Sequence, residues 1–320
     1  MVTVATWRRG LLAGARTAWT LGKVIFPVTV AVTVLRHTPV IDGLTALLAP
    51  LMTLVGLPGE AALVLALGNL LNLYAAIGAM LSMTLTVKEV FLLAVMLSFS
   101  HNLLVETAVT KRIGVSVWAA AGMRLGLAFG AAALLNLLWR GGEEAARYGL
   151  VPPAAPDLAG DWAAIAWHGI ETAFWGVVQM ALIVFPLMVA IELLKDLHVV
   201  DRLARALTPV TRLLGLSERT ALTLLAGLLF GLAFGAGVII ESAREAGFSK
   251  RDLYLLTLFL SACHAVVEDT LIFVPLGINV VWLLILRLAV AFILTILLAR
   301  VWRTLEARRA RSQNPTPHRA

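Results

Sequence analysis

The same polar side chains occur twice in this chain at matching spacing, each time inside long apolar sequence. Ser98, His101, Glu106 and Thr107 return as Ser261, His264, Asp269 and Thr270, at an offset of 163 (98 to 261). Ionisable groups in such surroundings are costly, and they face a bundle interior, a partner or a water-filled cavity. The recurrence therefore points to two copies of one unit that turn their polar faces toward one site. Composition fixes the medium. Of 320 residues, 60% are hydrophobic and 14% charged, and mean hydropathy is +0.90. That much apolar surface belongs to an all-α polytopic membrane protein. The single cysteine, Cys263, excludes an internal disulfide and an all-cysteine metal cage. Although Arg8 and Arg9 precede a short apolar run, Lys23 interrupts it and no cleavage site is evident, so the start is read as mature protein.

The duplication extends over nearly the whole chain. Residues 24–80 align with 183–239: Pro27 matches Pro186, Asp42 matches Asp201, Pro50 matches Pro209, Gly56 matches Gly215, and Gly68 and Gly78 match Gly227 and Gly237. Arg124 matches Arg287 further on. The boundaries expected are a first repeat over 1–138, an extracytoplasmic linker over 139–162, a second repeat over 163–303 and a basic cytoplasmic tail over 304–320. Each repeat reads as five elements: a span (15–36; 168–195), a short interfacial helix (41–55; 199–214), a glycine-rich apolar element (60–84; 218–246), the Ser/His/acid segment (88–110; 251–274) and a closing span (114–138; 278–300). The interfacial reading rests on Arg202, Arg205 and Arg212 opposing Leu203, Leu207, Val210 and Leu214.

Basic residues decide how the third element runs, because they favour the cytoplasm. With the N-terminus inside and the third element a re-entrant hairpin, Lys111, Arg112, the arginines of 202–219, Arg244, Lys250, Arg251 and the tail all fall inside. Only Arg36, Lys88, Arg140 and Arg147 fall outside. The expectation is two inverted-topology repeats, each with about three spanning helices, an interfacial helix and a re-entrant helical hairpin. Hairpin tips at membrane depth are tolerable only against protein or a cavity, so they point to a site.

The candidate binding residues follow from that placement. Ser261, His264 and Glu268 stand at i, i+3 and i+7, one helical face; Ser98 with His101, and Asn102 with Glu106, share faces in the first repeat. Asn69 and Asn72 lie where the first hairpin turns, and Asp269 joins the acids of the second repeat. Such groups could also simply bond to one another and hold helices together. Arg124 and Arg287 are expected to form structural ion pairs with Glu106 and Asp269, which would leave Glu268 available to a ligand. Glu241 reads as the cytoplasmic exit of the second hairpin. No Walker loop, His-Glu-x-x-His or Gly-x-Ser-x-Gly occurs, so no catalytic residue and no enzymatic activity are expected.

The order of elements and the glycine-rich stretches Leu65–Met80 and Leu224–Ile240 resemble the nucleoside-recognition, or Gate, domain family. That domain forms the core of concentrative nucleoside transporters and occurs in spore maturation membrane proteins and in the membrane part of ferrous-iron permeases. The resemblance implies that hairpin tips and broken helices hold a solute: by position Asn69, Asn72, Ser98, His101, Asn102, Glu106, Ser261, His264, Glu268 and Asp269. No Gln-Thr-Glu-like cluster stands at either tip, a departure from the nucleoside carriers.

The function read from this is a secondary transporter, or permease, of a small polar solute such as a nucleoside or related metabolite, by alternating access. A coupling ion, Na⁺ or H⁺, fits; no other cofactor is expected. One alternative is a divalent metal-ion transporter with His101, His264, Glu106 and Glu268 as ligands. Another is a structural or regulatory membrane protein that does not transport. Partners are the solute, the lipid bilayer and, as a candidate, further copies of the chain, with no nucleic acid. The expected location is a bacterial-type inner (plasma) membrane, multi-pass, with both termini cytoplasmic.

Overall fold

The computed structural model describes residues 2–152, 161–197 and 199–313. Among these the chain is helical, with no strand beyond an isolated bridge between Thr86 and Ala145. Five helical segments are long and apolar enough to cross a membrane: Val4–Leu35, Val87–Arg112 (two helices in sequence, broken at His101–Asn102), Val117–Leu138, Trp162–Asp196 and Val280–Arg309.

The first half runs α1 (Val4–Leu35), α2 (Pro39–Thr53), α3 (Ala61–Leu70), α4 (Leu73–Leu81), α5 (Val87–Ser100), α6 (Leu103–Arg112) and α7 (Val117–Leu138). The second runs α8 (Trp162–Asp196), α9 (Val199–Ala206), α10 (Thr208–Leu213), α11 (Ala221–Phe234), α12 (Ala236–Glu245), α13 (Lys250–Ala262), α14 (Glu268–Leu271) and α15 (Val280–Gln313). The halves repeat in local conformation as well as in sequence. Pro27 and Pro186 both lie inside the first long helix of their half. Gly56 and Gly215 both take φ +75°, and Gly114 and Gly277 are both left-handed. Thr86 caps α5 through the Glu89 N–H, and Ser249 caps α13 through that of Asp252.

α1 and α8 pack along their length through small residues. A β-carbon at Gly10 would lie 2.9 Å from Val189 Cα, at Gly14 3.1 Å from the Phe185 ring, and at Gly22 3.2 Å from Val177. One partner number rises as the other falls, so these two helices run antiparallel. Glycine there removes the side chain that would hold the backbones apart. The bundle has two distinct ends. At one, Arg36 pairs with Glu60 (3.2 Å), the Lys88 N–H donates to Gly142 O (2.8 Å), and Gly277 abuts Arg147. At the other, Arg9 pairs with Asp196 (2.5 Å), Arg251 donates to Gly215 O (2.6 Å), and the Ser116 N–H meets Tyr254 Oη (3.4 Å).

Several boundaries depart from the sequence expectation. α1 begins at Val4, well before 15, because Arg8, Arg9 and Arg16 ride on an otherwise helix-compatible run. The interfacial segment of the second half is two helices, α9 and α10, whereas the first half has the single helix α2 with the matching Pro50 inside it. The tail is helical from 304 to Gln313 as the end of α15; 314–320 lie outside the described residues. The linker's first part pairs with the start of α5 and so forms a cover, while 153–160 lie outside the described residues. Both Ser/His/acid segments are broken, which bears directly on the site.

Candidate functional site

Neither polar segment is a continuous helix. α5 stops at His101, Asn102 turns left-handed (φ 54°), and α6 resumes. α13 stops at Cys263, Ala265 turns left-handed (φ 40°), and α14 starts at Glu268. A single helical face through Ser261, His264 and Glu268 therefore does not exist: the break re-aims every residue after Cys263. Each break frees backbone groups, and each is satisfied the same way. The Asn102 N–H donates to Gly68 O (2.7 Å); the Ala265 and Val266 N–H groups donate to Gly227 O (3.0 Å) and Leu228 O (2.7 Å). Gly68 and Gly227 permit this approach, since a β-carbon would lie 2.3 Å from a methyl of Leu97 and 2.5 Å from one of Leu260.

The carbonyl ends are closed by the two arginines. Arg124 donates to Phe99 O (3.0 Å), to His101 O (2.6 Å) and to the Glu106 carboxylate. Arg287 donates to His264 O (2.5 Å), Asp269 Oδ2 (3.3 Å) and Thr270 Oγ1 (3.4 Å). Both side chains are 0% exposed. A cation belongs there twice over, at the negative end of a helix and beside an acid.

His101 and His264 then meet between the halves, ring centroids 5.1 Å apart. His264 Nε2 lies 3.4 Å from Glu106 Oε1 of the other half and 3.6 Å from Asp269 Oδ2. His101 Nε2 lies 3.7 Å from Glu106 Oε1. Beside this cluster opens a cavity of ≈440 Å³ lined by Asn72 and Tyr74, by Gly231, and by His101, His264 and Glu268. Asn72 caps α4, accepting from the Ala75 N–H (3.0 Å); Gly231, its counterpart, breaks α11 at φ 73°.

The other expected residues are placed as follows. Asn102, Glu106 and Asp269 also line the cavity. Asn69 is not among its lining residues: its amide turns back to Leu65 O (2.7 Å). Ser98 and Ser261 are fully buried with hydroxyls that meet no partner, and neither lines the cavity. Glu268 is not free, since the Tyr74 hydroxyl of the first half donates to it. Cys263 is a buried free thiol, and Glu241 is exposed on α12. Tyr74 escaped the sequence reading because an aromatic in an apolar run looks like packing. Arg16, Thr17 and Thr20 of α1 also line the cavity. Their shared helical face is a usable signal in the sequence that the motif reading does not draw on.

A membrane protein helical over its described residues, with a broken helix in each half beside a shared cavity, is the class these features define. The nucleoside recognition (Gate) family matches residues 18–116 and 177–279, one stretch in each half. This chain belongs to that family. It is also 51% identical over 296 residues to the uncharacterized membrane protein YvoD of Bacillus subtilis (strain 168), covering 92% of this chain and 94% of the relative. No solved structure matches.

Proposed function

We propose that this protein is a secondary permease for a small polar solute, built as two inverted repeats that alternate access to the cavity. The observation that carries the reading is the ≈440 Å³ cavity itself, lined by matched positions of both halves: Asn72 with Gly231, and His101 with His264. In this reading α3–α4 and α11–α12 are re-entrant hairpins whose tips, at Asn72 and Gly231, meet the solute. Three observations support it. The equivalent helices α1 and α8 run antiparallel. The mouth of the first hairpin, at Glu60 and Ser82, lies with Arg36 at one end of the bundle. The start of the second, at Ser217, lies at the other, its N–H donating to Asp252 (2.8 Å). The family's nucleoside-recognition description makes nucleosides and related metabolites the first solutes to try. Tyr74 to Glu268 is a contact between halves that a moving hairpin would break, exposing an acid to the solute.

The test is a thermal-shift screen of the purified protein against nucleosides, organic anions and divalent metals. A ligand at about a hundredfold above Kd stabilises the native state by about 2.7 kcal/mol. Glu268→Ala is expected to abolish the shift from the solute while leaving the unliganded protein folded. An unchanged shift in that variant would remove Glu268 from the site. Absence of uptake into proteoliposomes for every ligand that binds would end the permease reading.

A further inference from the structure

The two histidines carry an assignment that can be read from their other nitrogens. His101 Nδ1 lies 2.7 Å from Leu97 O, and His264 Nδ1 lies 2.6 Å from Leu260 O. A carbonyl only accepts, so each Nδ1 holds the proton and each neutral ring presents an unshared pair at Nε2. Those pairs face Glu106 Oε1 and Asp269 Oδ2 across 3.4–3.7 Å. His264 is 1% exposed, and its Nε2 meets no hydrogen-bond donor. His101, His264 and Asp269 each bring a ligand atom within 4.8 Å of the others, Glu106 Oε1 adjoins both histidines, and Arg287 donates to Asp269 Oδ2 from outside the cluster (3.3 Å); electron-rich atoms gathered in this way repel unless a positive charge stands between them. A proton on Nε2 would draw a carboxylate oxygen in to about 2.7–2.9 Å, closer than any of these separations. A metal fits them better. Bonds of about 2.0–2.1 Å set neighbouring donors of a tetrahedron about 3.3–3.4 Å apart.

We propose that His101 Nε2, His264 Nε2, Glu106 Oε1 and Asp269 Oδ2 bind one divalent first-row transition metal. Imidazole with carboxylate suits zinc, cobalt, iron and manganese better than magnesium or calcium. The Nδ1–H to carbonyl bonds are the outer-shell contacts that aim a ligating imidazole. Arg124 takes Glu106 through Oε2 and leaves Oε1 to the metal. The guanidiniums of Arg124 and Arg287 offset the two ligand carboxylates, leaving Glu268 as the remaining acid beside the cavity. The ion is thus held without a full complement of negative charge, as befits one that enters and leaves. That the metal moves rests on the permease reading; that it binds does not.

Chelator-treated protein titrated with Co²⁺ should develop the visible absorption of tetrahedral cobalt at one equivalent, displaced by Zn²⁺ and indifferent to Mg²⁺. His264→Ala and His101→Ala, each checked for folding by gel filtration, should weaken Co²⁺ binding at least tenfold. No band in the wild-type protein, or an unchanged band in the folded variants, overturns the site; the Zn²⁺ displacement needs no variant. Zinc uptake by proteoliposomes is measured separately. A cobalt band without uptake leaves the metal site standing and tells against the permease. Uptake of a polar solute by protein that shows no cobalt band does the reverse.

Discussion

At the scale of single residues, the two buried arginines organise everything around them. Each closes the free carbonyls of a broken helix and holds the acid of the next helix, so each replaces hydrogen bonds that water cannot supply there. Removing one partner of a buried pair leaves an uncompensated charge, which costs about 3–5 kcal/mol. Arg124→Met is therefore expected to lower the unfolding free energy in detergent by about that amount. Arg124→Met combined with Glu106→Met should recover a large part of the loss, because the stranded carboxylate goes too, although the Phe99 and His101 carbonyls stay unpaired. A double variant no more stable than the single one would mean that carbonyl capping, not the ion pair, is the greater contribution. The sequence located this pairing by offset alone; it could not show the capping, because nothing in the residues around His101 and His264, neither glycine nor proline, announces that the helix stops there.

At the scale of elements, the legible features were those with a period or a strong local chemistry. Long apolar runs announced the spans, and paired glycines marked the third elements. The breaks within α5–α6 and α13–α14 were implied by the family resemblance alone; no residue pattern locates them, because they depend on accepting carbonyls of α3 and α11 from far away in sequence. The face shared by Ser261, His264 and Glu268 failed for that reason, and Ser98 and Ser261 are packed away from the cavity rather than into it. The antiparallel register of α1 and α8 was also out of reach of periodicity, and it is directly testable. In a Cys263→Ala background, Gly10→Cys with Val189→Cys should cross-link on mild oxidation. So should Thr33→Cys with Gly169→Cys near the opposite end. The β-carbons involved would lie 3.4 and 3.3 Å apart, close to the separation of about 3.5–4.5 Å that a disulfide spans. A parallel pairing cannot bring both couples together, so loss of free thiols in only one of them would refute the register.

At the scale of the whole molecule, charge and contacts agree on orientation. The end that gathers Arg9, Arg251 and Arg303 is the more basic, with Arg303 and Arg251 both flanking Gly215. The opposite end holds Arg36, Lys88 and the start of the linker. Cytoplasmic loops carry the excess of lysine and arginine, so the expectation to be tested is that the first of these ends faces the cytoplasm. The decisive question is whether α11 and α12 return to the side from which they leave. Arg219 and Lys250 flank that element and both are exposed. If the element is a hairpin, Arg219→Cys and Lys250→Cys, each in the Cys263→Ala background, react with a membrane-impermeant maleimide only after cells are permeabilised. Glu143→Cys, in the exposed linker, reacts in intact cells. If the element spans, one of Arg219→Cys and Lys250→Cys is labelled from outside, the two halves lie parallel, and Asn72 and Gly231 cannot be the tips of opposed hairpins. Two residues on one side are thus enough to decide between a carrier with two gates and a plain bundle.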